Sequence, residues 1–415
     1  MTEEMQKETP KNIFDDDYMK IKGQKYINAI SDSDNDNFSW VSDADKKVLN
    51  LEELNTSGKN KGELRSNIND IRSINWGIPN MIIGDYKTAK FYLCLLNPRV
   101  QDATKEATNI QEYVEKETGK ALKEIFDDED QNNDCRDEYY SKKEDYSAHL
   151  INVETNAYYN ELKKLNHFVK GTTMKDEYDA FSKKYKNVKK DDKSDYEKKH
   201  NPLRKMYYLH TYYNYLFRDQ YADGKDTKGE VEAEIFDELN QRYEKNGDKI
   251  SHLKICDLEL FPYRTEGKPT GSLFKKGKSY KDLDSSKYVA NIILDRVEKA
   301  NLTKESDETL EDNPIFVFRS YQDWFKVLLQ EFAKRKEIKI DEKKTDKKNL
   351  EDEKNSGKKD LEDKLLEQYL EETNDYFYEF SAPQNGSLSI NNIKKATIKI
   401  NNSEYKNIKA IFNAQ

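Results

Sequence analysis

Cysteine, proline and glycine are all scarce in this 415-residue chain, and each scarcity removes a class of protein. Three cysteines, Cys94, Cys135 and Cys256, do not make a disulfide framework, and they have no paired spacing to suit a zinc site. Fifteen glycines and eight prolines are about half the usual usage, which argues against a turn-rich all-β fold or a Pro/Gly linker protein. The five histidines show neither HxxxH nor HExxH spacing, so no metal is expected. No apolar run approaches the roughly 18 residues of a membrane span. The opening MTEEMQKETPKNIFDDD is acidic and lacks the apolar stretch of a signal peptide. The expectation is a reduced, soluble, cytoplasmic protein with no membrane partner and no cofactor.

What is abundant is charge. Charged residues make up 36% of the chain and hydrophobic ones 35%, the latter below the ~45–50% of ordinary globular chains. The 28 tyrosines and 17 phenylalanines supply large apolar bodies, so a sizeable core is still within reach. The net charge of -9 argues against a protein that coats nucleic acid uniformly, but it leaves room for a local basic groove.

Texture divides the chain. Residues 1–70 are polar and acidic and read as a mobile N-terminal segment whose Phe38 and Trp40 dock on the body. Residues 101–250 alternate charge with Leu, Tyr and Phe at helical spacing and read as a large helical insertion with a Lys/Asp-rich loop near 187–199. Within it, MYYLHTYYNYLFRDQY (206–221) reads as core rather than as a stacking platform. Residues 334–364 are a charged spacer. The remaining pieces, 71–100 and 251–415, carry four short apolar runs: AKFYLCLLNP, LKICDLELFPYRT, PIFVFRS and NDYFYEFS. Such runs fit strands buried on both faces. The fold class is α/β, a central, mostly parallel four-stranded sheet flanked by helices. The segment from Ser320 to Asp323 resembles a capping box with Asp in place of Glu.

Each run leads into polar residues: Asn97 and Arg99 after the first, Arg264 after the second, Arg319-Ser320 after the third, and Gln384, Asn385, Ser387 and Ser389 after the fourth. In open α/β sheets, ligands bind outside the carboxyl ends of the strands. Period-two alternation puts Asp257 and Glu259 on one strand face, opposite Leu258 and Leu260. Plainer readings are a turn at Asn97-Pro98, a solvated carboxylate face, a salt bridge at Arg319 and an ordinary Asn-Gly turn.

GDYKTAKFYLCLLNPRV, ICDLELFPYRT, FVFRSYQDW and SAPQNGSLSINNI resemble, in order, the strand-end motifs of the uracil-DNA glycosylase superfamily. The resemblance implies that Asn97 places the attacking water and that Asp257 or Glu259 reads the base edge or stabilises the sugar cation. It implies that Gln384 or Asn385, with Arg319, meets the departing base, and that Phe261 or Tyr263 stacks on a flipped nucleotide. Arg99, Ser387, Ser389, Lys394 and Lys395 would contact the DNA backbone, since phosphate neutralisation is required. No Asp follows Asn97 and no His stands in the last motif, departures expected equally of altered base specificity and of lost activity. The expected function is excision of an uncommon or modified pyrimidine, as in foreign phage-type DNA, leaving an abasic site. Two other readings stay open. One is a non-catalytic module on the same scaffold, binding nucleic acid or a protein through the acidic helical insertion. The other is a different hydrolase or transferase with Asp257 and Glu259 as general acid and base, which predicts a raised pKa on one of the pair.

Overall fold

The computed structural model describes residues 16–31, 38–51, 71–98, 107–118, 174–202, 212, 254–265, 268–269, 271–305, 313–336, 356–381, 388 and 392–395. Six strands form one mixed sheet: β1 (Ile82–Gly84), β2 (Phe91–Leu95), β3 (Ile255–Glu259), β4 (Ile315–Phe318), β5 (Phe377–Phe380) and β6 (Ile393–Lys395). Their spatial order is β1-β3-β2-β4-β5-β6. The pairs β3/β2, β2/β4 and β4/β5 are parallel, whereas β1 and β6 close the two edges antiparallel. The expected sheet of four strands is therefore one of six. The edge strands are three residues long, too short for an alternating pattern to show in sequence.

Nine helices are described: α1 (Asp16–Ser31), α2 (Asp43–Lys46), α3 (Ile71–Trp76), α4 (Ile110–Thr118), α5 (Met174–Tyr185), α6 (Lys193–His200), α7 (Asp284–Glu305), α8 (Tyr321–Arg335) and α9 (Ser356–Thr373). One face of the sheet, with Cys94, Leu258, Phe316 and Phe318, joins a core with Val289 and Ile293 of α7 and Trp324 and Leu328 of α8. The other face carries Leu93, Leu95, Asp257, Glu259 and Val317, and it is buried as well. Burial on both faces is what the unbroken apolar runs reflect.

The N-terminal segment is less peripheral than its composition implies. Tyr26 and Trp40 are fully buried, Phe38 packs with both rings, and the Trp40 N–H donates to the Asn75 carbonyl at 2.8 Å. Asp45 ties this segment to the sheet: its carboxylate accepts from the Tyr263 hydroxyl and from the Asp284 N–H at the start of α7, both at 2.8 Å.

The capping box expected at Ser320–Asp323 is absent. Ser320 occupies the N-cap position of α8 with φ 59° and ψ 50°, a left-handed conformation from which its hydroxyl makes no capping bond. The Asp323 carboxylate pairs with Lys268 instead. The similar Ser-Tyr-Lys-Asp at 279–282 does form a capping box, with Asp282 accepting from the Ser279 N–H at 2.9 Å.

Candidate active site at the carboxyl edge of the sheet

The chain runs from β2 to β3 on one side, then through α7 to β4 on the other side of β2. The crossover direction changes at β2, and such a switch point opens the crevice where ligands bind. Register defines what lies there. Leu95 pairs with Glu259 and Cys94 with Phe318, so Arg319 follows alongside Leu95. Glu259 and Arg319 therefore flank Leu95 at one level on one face, with backbones about 10 Å apart, two strand spacings. Arg319 is anchored by its N–H, which donates to the Cys94 carbonyl at 2.8 Å.

The strand ends are laced together. The Leu95 carbonyl accepts from the Leu260 N–H at 3.1 Å and from the Trp324 indole at 3.0 Å. Phe261 N–H donates to the Leu96 carbonyl at 2.8 Å, and Thr265 N–H donates to the Pro98 carbonyl at 3.2 Å. The Asn97 amide donates to the Thr265 hydroxyl at 2.7 Å and to the Pro98 carbonyl at 3.2 Å, which fixes its plane. The Arg319 guanidinium lies between the rings of Tyr212 and Phe380, at 5.4 and 5.3 Å. Cation–π contact of this kind helps to hold a guanidinium in place.

Asp257 is fully buried and Glu259 is 3% exposed. Asn97 and Arg319, at the rim, are half-buried. Among the described residues, Glu259 Oε2 accepts no hydrogen bond. Burial pushes the Glu259 carboxyl well above the usual range, and the neighbouring charge of Asp257 pushes it the same way. Arg319 and Arg264 pull in the opposite direction without cancelling the rise. A buried carboxyl with a raised pKa beside a second acidic side chain is the arrangement from which acid and base roles separate. The plainer reading of these carboxylates as a solvated strand face does not hold, since both are buried.

Other expected site residues are placed differently. Phe261 and Tyr263 are fully buried and pack edge to face at 5.3 Å. Neither ring offers a face to a flipped base, because Tyr263 is committed to the contact with Asp45. Lys394 forms an ion pair with Glu379, its cross-strand neighbour, at 3.1 Å, and the Lys395 ammonium sits 5.9 Å over the Tyr378 ring. Both lysines thus serve the β5/β6 edge. Arg99, Gln384, Asn385, Ser387 and Ser389 lie outside the described residues. The sequence pattern placed Arg264 at a strand end without giving it a role, and it did not single out Thr265, Tyr212 or Phe380. Arg264 and Thr265 directly follow a strand-end run, which was the available signal. Tyr212 and Phe380 meet Arg319 only through tertiary packing.

The chain was compared with family models, curated proteins and solved structures. It matches none of them. Among the described residues no helix is long and apolar enough to cross a membrane, and no group of three or more His, Cys, Asp or Glu is placed to hold a metal.

Proposed function

We propose that the carboxyl edge of the sheet is the active site of a hydrolase that cleaves the N-glycosidic bond of an uncommon or modified pyrimidine in DNA. The observation that carries this reading is the switch point, where β2, β3 and β4 bring Asn97, Glu259 and Arg319 to one edge of the sheet. The raised pKa of the buried Glu259 suits a general acid in any hydrolase and does not by itself choose the glycosidic bond. The substrate class comes from the resemblance of the four strand ends to the uracil-DNA glycosylase superfamily. In the reaction the C1′–N bond breaks with its electron pair leaving on the base, and a water oxygen bonds to C1′. Glu259 in its acid form gives a proton to the departing base, and Arg319 stabilises the charge that develops there. Asp257, two residues deeper in β3, acts through its charge on Glu259, and the proton of the water, which Asn97 places, passes to solvent at the rim. Extrusion of the nucleotide from the stack brings the bond to the rim.

The full burial of Phe261 and Tyr263 favours a second reading, a binding module on the same scaffold in which the carboxylates are structural. One experiment separates the two. The protein is incubated with DNA carrying uracil, ordinary bases or a panel of modified cytosines and thymines, and abasic sites are scored by aldehyde-reactive labelling. Release from one substrate, reduced about 10²-fold or more in Glu259→Gln and in Asn97→Ala, is the expected result. DNA binding without release from any substrate supports the binding module. Release unchanged in both variants overturns the roles assigned to these residues.

A further inference from the structure

The helical insertion contains a surface that the sheet edge does not use. Between Lys183 and His200 the sequence KKYKNVKKDDKSDYEKKH holds eight lysines against four acidic residues, a local excess of cations in a chain whose net charge is -9. The excess sits on a defined piece of structure: the end of α5, a turn, a 3₁₀ segment (Lys190–Asp192) and α6. Lys183 and Lys184 lie in the last turn of α5, where they complement the helix dipole. That account does not extend to Lys186, Lys189 and Lys190, which lie past the end of the helix. Lys183, Lys184, Lys186, Lys189, Lys190 and Lys199 are all exposed, and none of them forms an ion pair among the described residues, although Asp191 and Asp192 are adjacent in the chain.

Aromatic rings stiffen this surface. The Tyr196 ring stacks on Phe181 at 5.8 Å and 11°, and His200 lies 4.5 Å from Tyr196. The Lys193 ammonium sits 4.9 Å over the Tyr185 ring. Phe181 is buried and joins the two helices through Tyr196, with Tyr178 buried beside it, whereas Tyr185 and Tyr196 are half-exposed.

We propose that the α5–α6 hairpin is a grip for the phosphate backbone of nucleic acid, with the unpaired lysines neutralising phosphates and the half-exposed tyrosines lying against sugar or base. An anionic membrane would attract the same lysines, but surface helices hold a bilayer by burying an apolar face, and the large apolar side chains here, Tyr178 and Phe181, are already buried. Phosphate binding by lysine needs only a compact charge and makes no demand on sequence. The inference shares with the proposed hydrolase only the choice of nucleic acid. Binding is therefore read without base release, and failure of one is distinguishable from failure of the other.

The test is fluorescence anisotropy of the full chain with a labelled duplex and a labelled single strand across a salt series. The variant carries Lys183→Gln, Lys184→Gln, Lys186→Gln, Lys189→Gln and Lys190→Gln together, and a matching variant carries arginine at the same five positions. Each phosphate contact contributes about 0.9 to the slope of log affinity against log salt on duplex DNA. The glutamine variant is expected to lose about 2 to 4 of that slope and at least about tenfold in affinity, whereas the arginine variant retains both. Unchanged helicity by circular dichroism assigns the loss to charge. Affinity and slope equal to the parent in the glutamine variant overturn the proposal. Binding to phosphatidylserine vesicles with no binding to either DNA, lost in the glutamine variant, overturns it as well.

Discussion

A methyl group at position 77 has no room. A Cβ built on Gly77 falls 2.7 Å from the Ser73 carbonyl oxygen, 2.7 Å from Cδ of Arg264 and 2.8 Å from the Tyr113 hydroxyl. The first of these is backbone and cannot swing aside. Arg264 crosses this glycine to donate from Nε to the Ile78 carbonyl at 3.1 Å, and its charge is one of the two cations that act on Glu259. Gly77→Ala is expected to cost about 1–3 kcal/mol of unfolding free energy, read by urea titration, through overpacking. A cost of zero would mean that the α3 end is looser than described. The same scale shows what sequence could and could not disclose. Asp257 and Glu259 stood out because two carboxylates at alternate positions of an apolar strand share a face. Asn97 and Arg319 stood out because each follows an apolar run, where position alone brings side chains to one edge. Phe261 and Tyr263 stand there too, but the partner that draws Tyr263 inward, Asp45, is 218 residues away in sequence. No local pattern carries such a contact.

At the level of elements, two near-identical tetrapeptides behave differently, and the reason is the backbone that enters them. Ser279 enters its 3₁₀ turn extended, at φ -158°, and the capping box forms. Ser320 leaves β4 directly into α8 and must reverse within one residue, which forces the left-handed conformation. A non-glycine residue there carries roughly 1–2 kcal/mol of strain. Ser320→Gly is therefore expected to raise stability by a few tenths to about 1 kcal/mol, the gain being reduced by the larger chain entropy that glycine brings to the unfolded state. Thermal unfolding of the variant checks it, and a lowered Tm would contradict the assignment of strain. The four central strands were readable as unbroken apolar runs because both of their faces are covered. The edge strands β1 and β6, Ile-Ile-Gly and Ile-Lys-Lys, have neither the length nor the alternation to stand out from loop.

For the whole molecule, the consequence of placing Asp257 and Glu259 inside the sheet's second face is a stability that depends on pH. An unfolded glutamate titrates near ~4.3, whereas the folded Glu259 titrates well above its usual value. Between those two values the folded chain holds a proton that the unfolded chain has released, so stability falls as pH rises through the window. The loss is roughly 1–1.5 kcal/mol per pH unit until Glu259 ionises. Asp45, whose carboxyl is also raised by burial, adds a fall of the same sign, but it is common to the parent and to any variant at 259. Unfolding free energy of the parent and of Glu259→Gln, measured side by side in urea from pH 4 to pH 8, isolates the site. The account predicts that the parent's stability relative to the variant falls with that slope from just above pH 4, then levels off once Glu259 ionises. A difference that stays flat across the range would show Glu259 titrating as an ordinary surface carboxylate, and it would remove the acid on which the proposed chemistry depends.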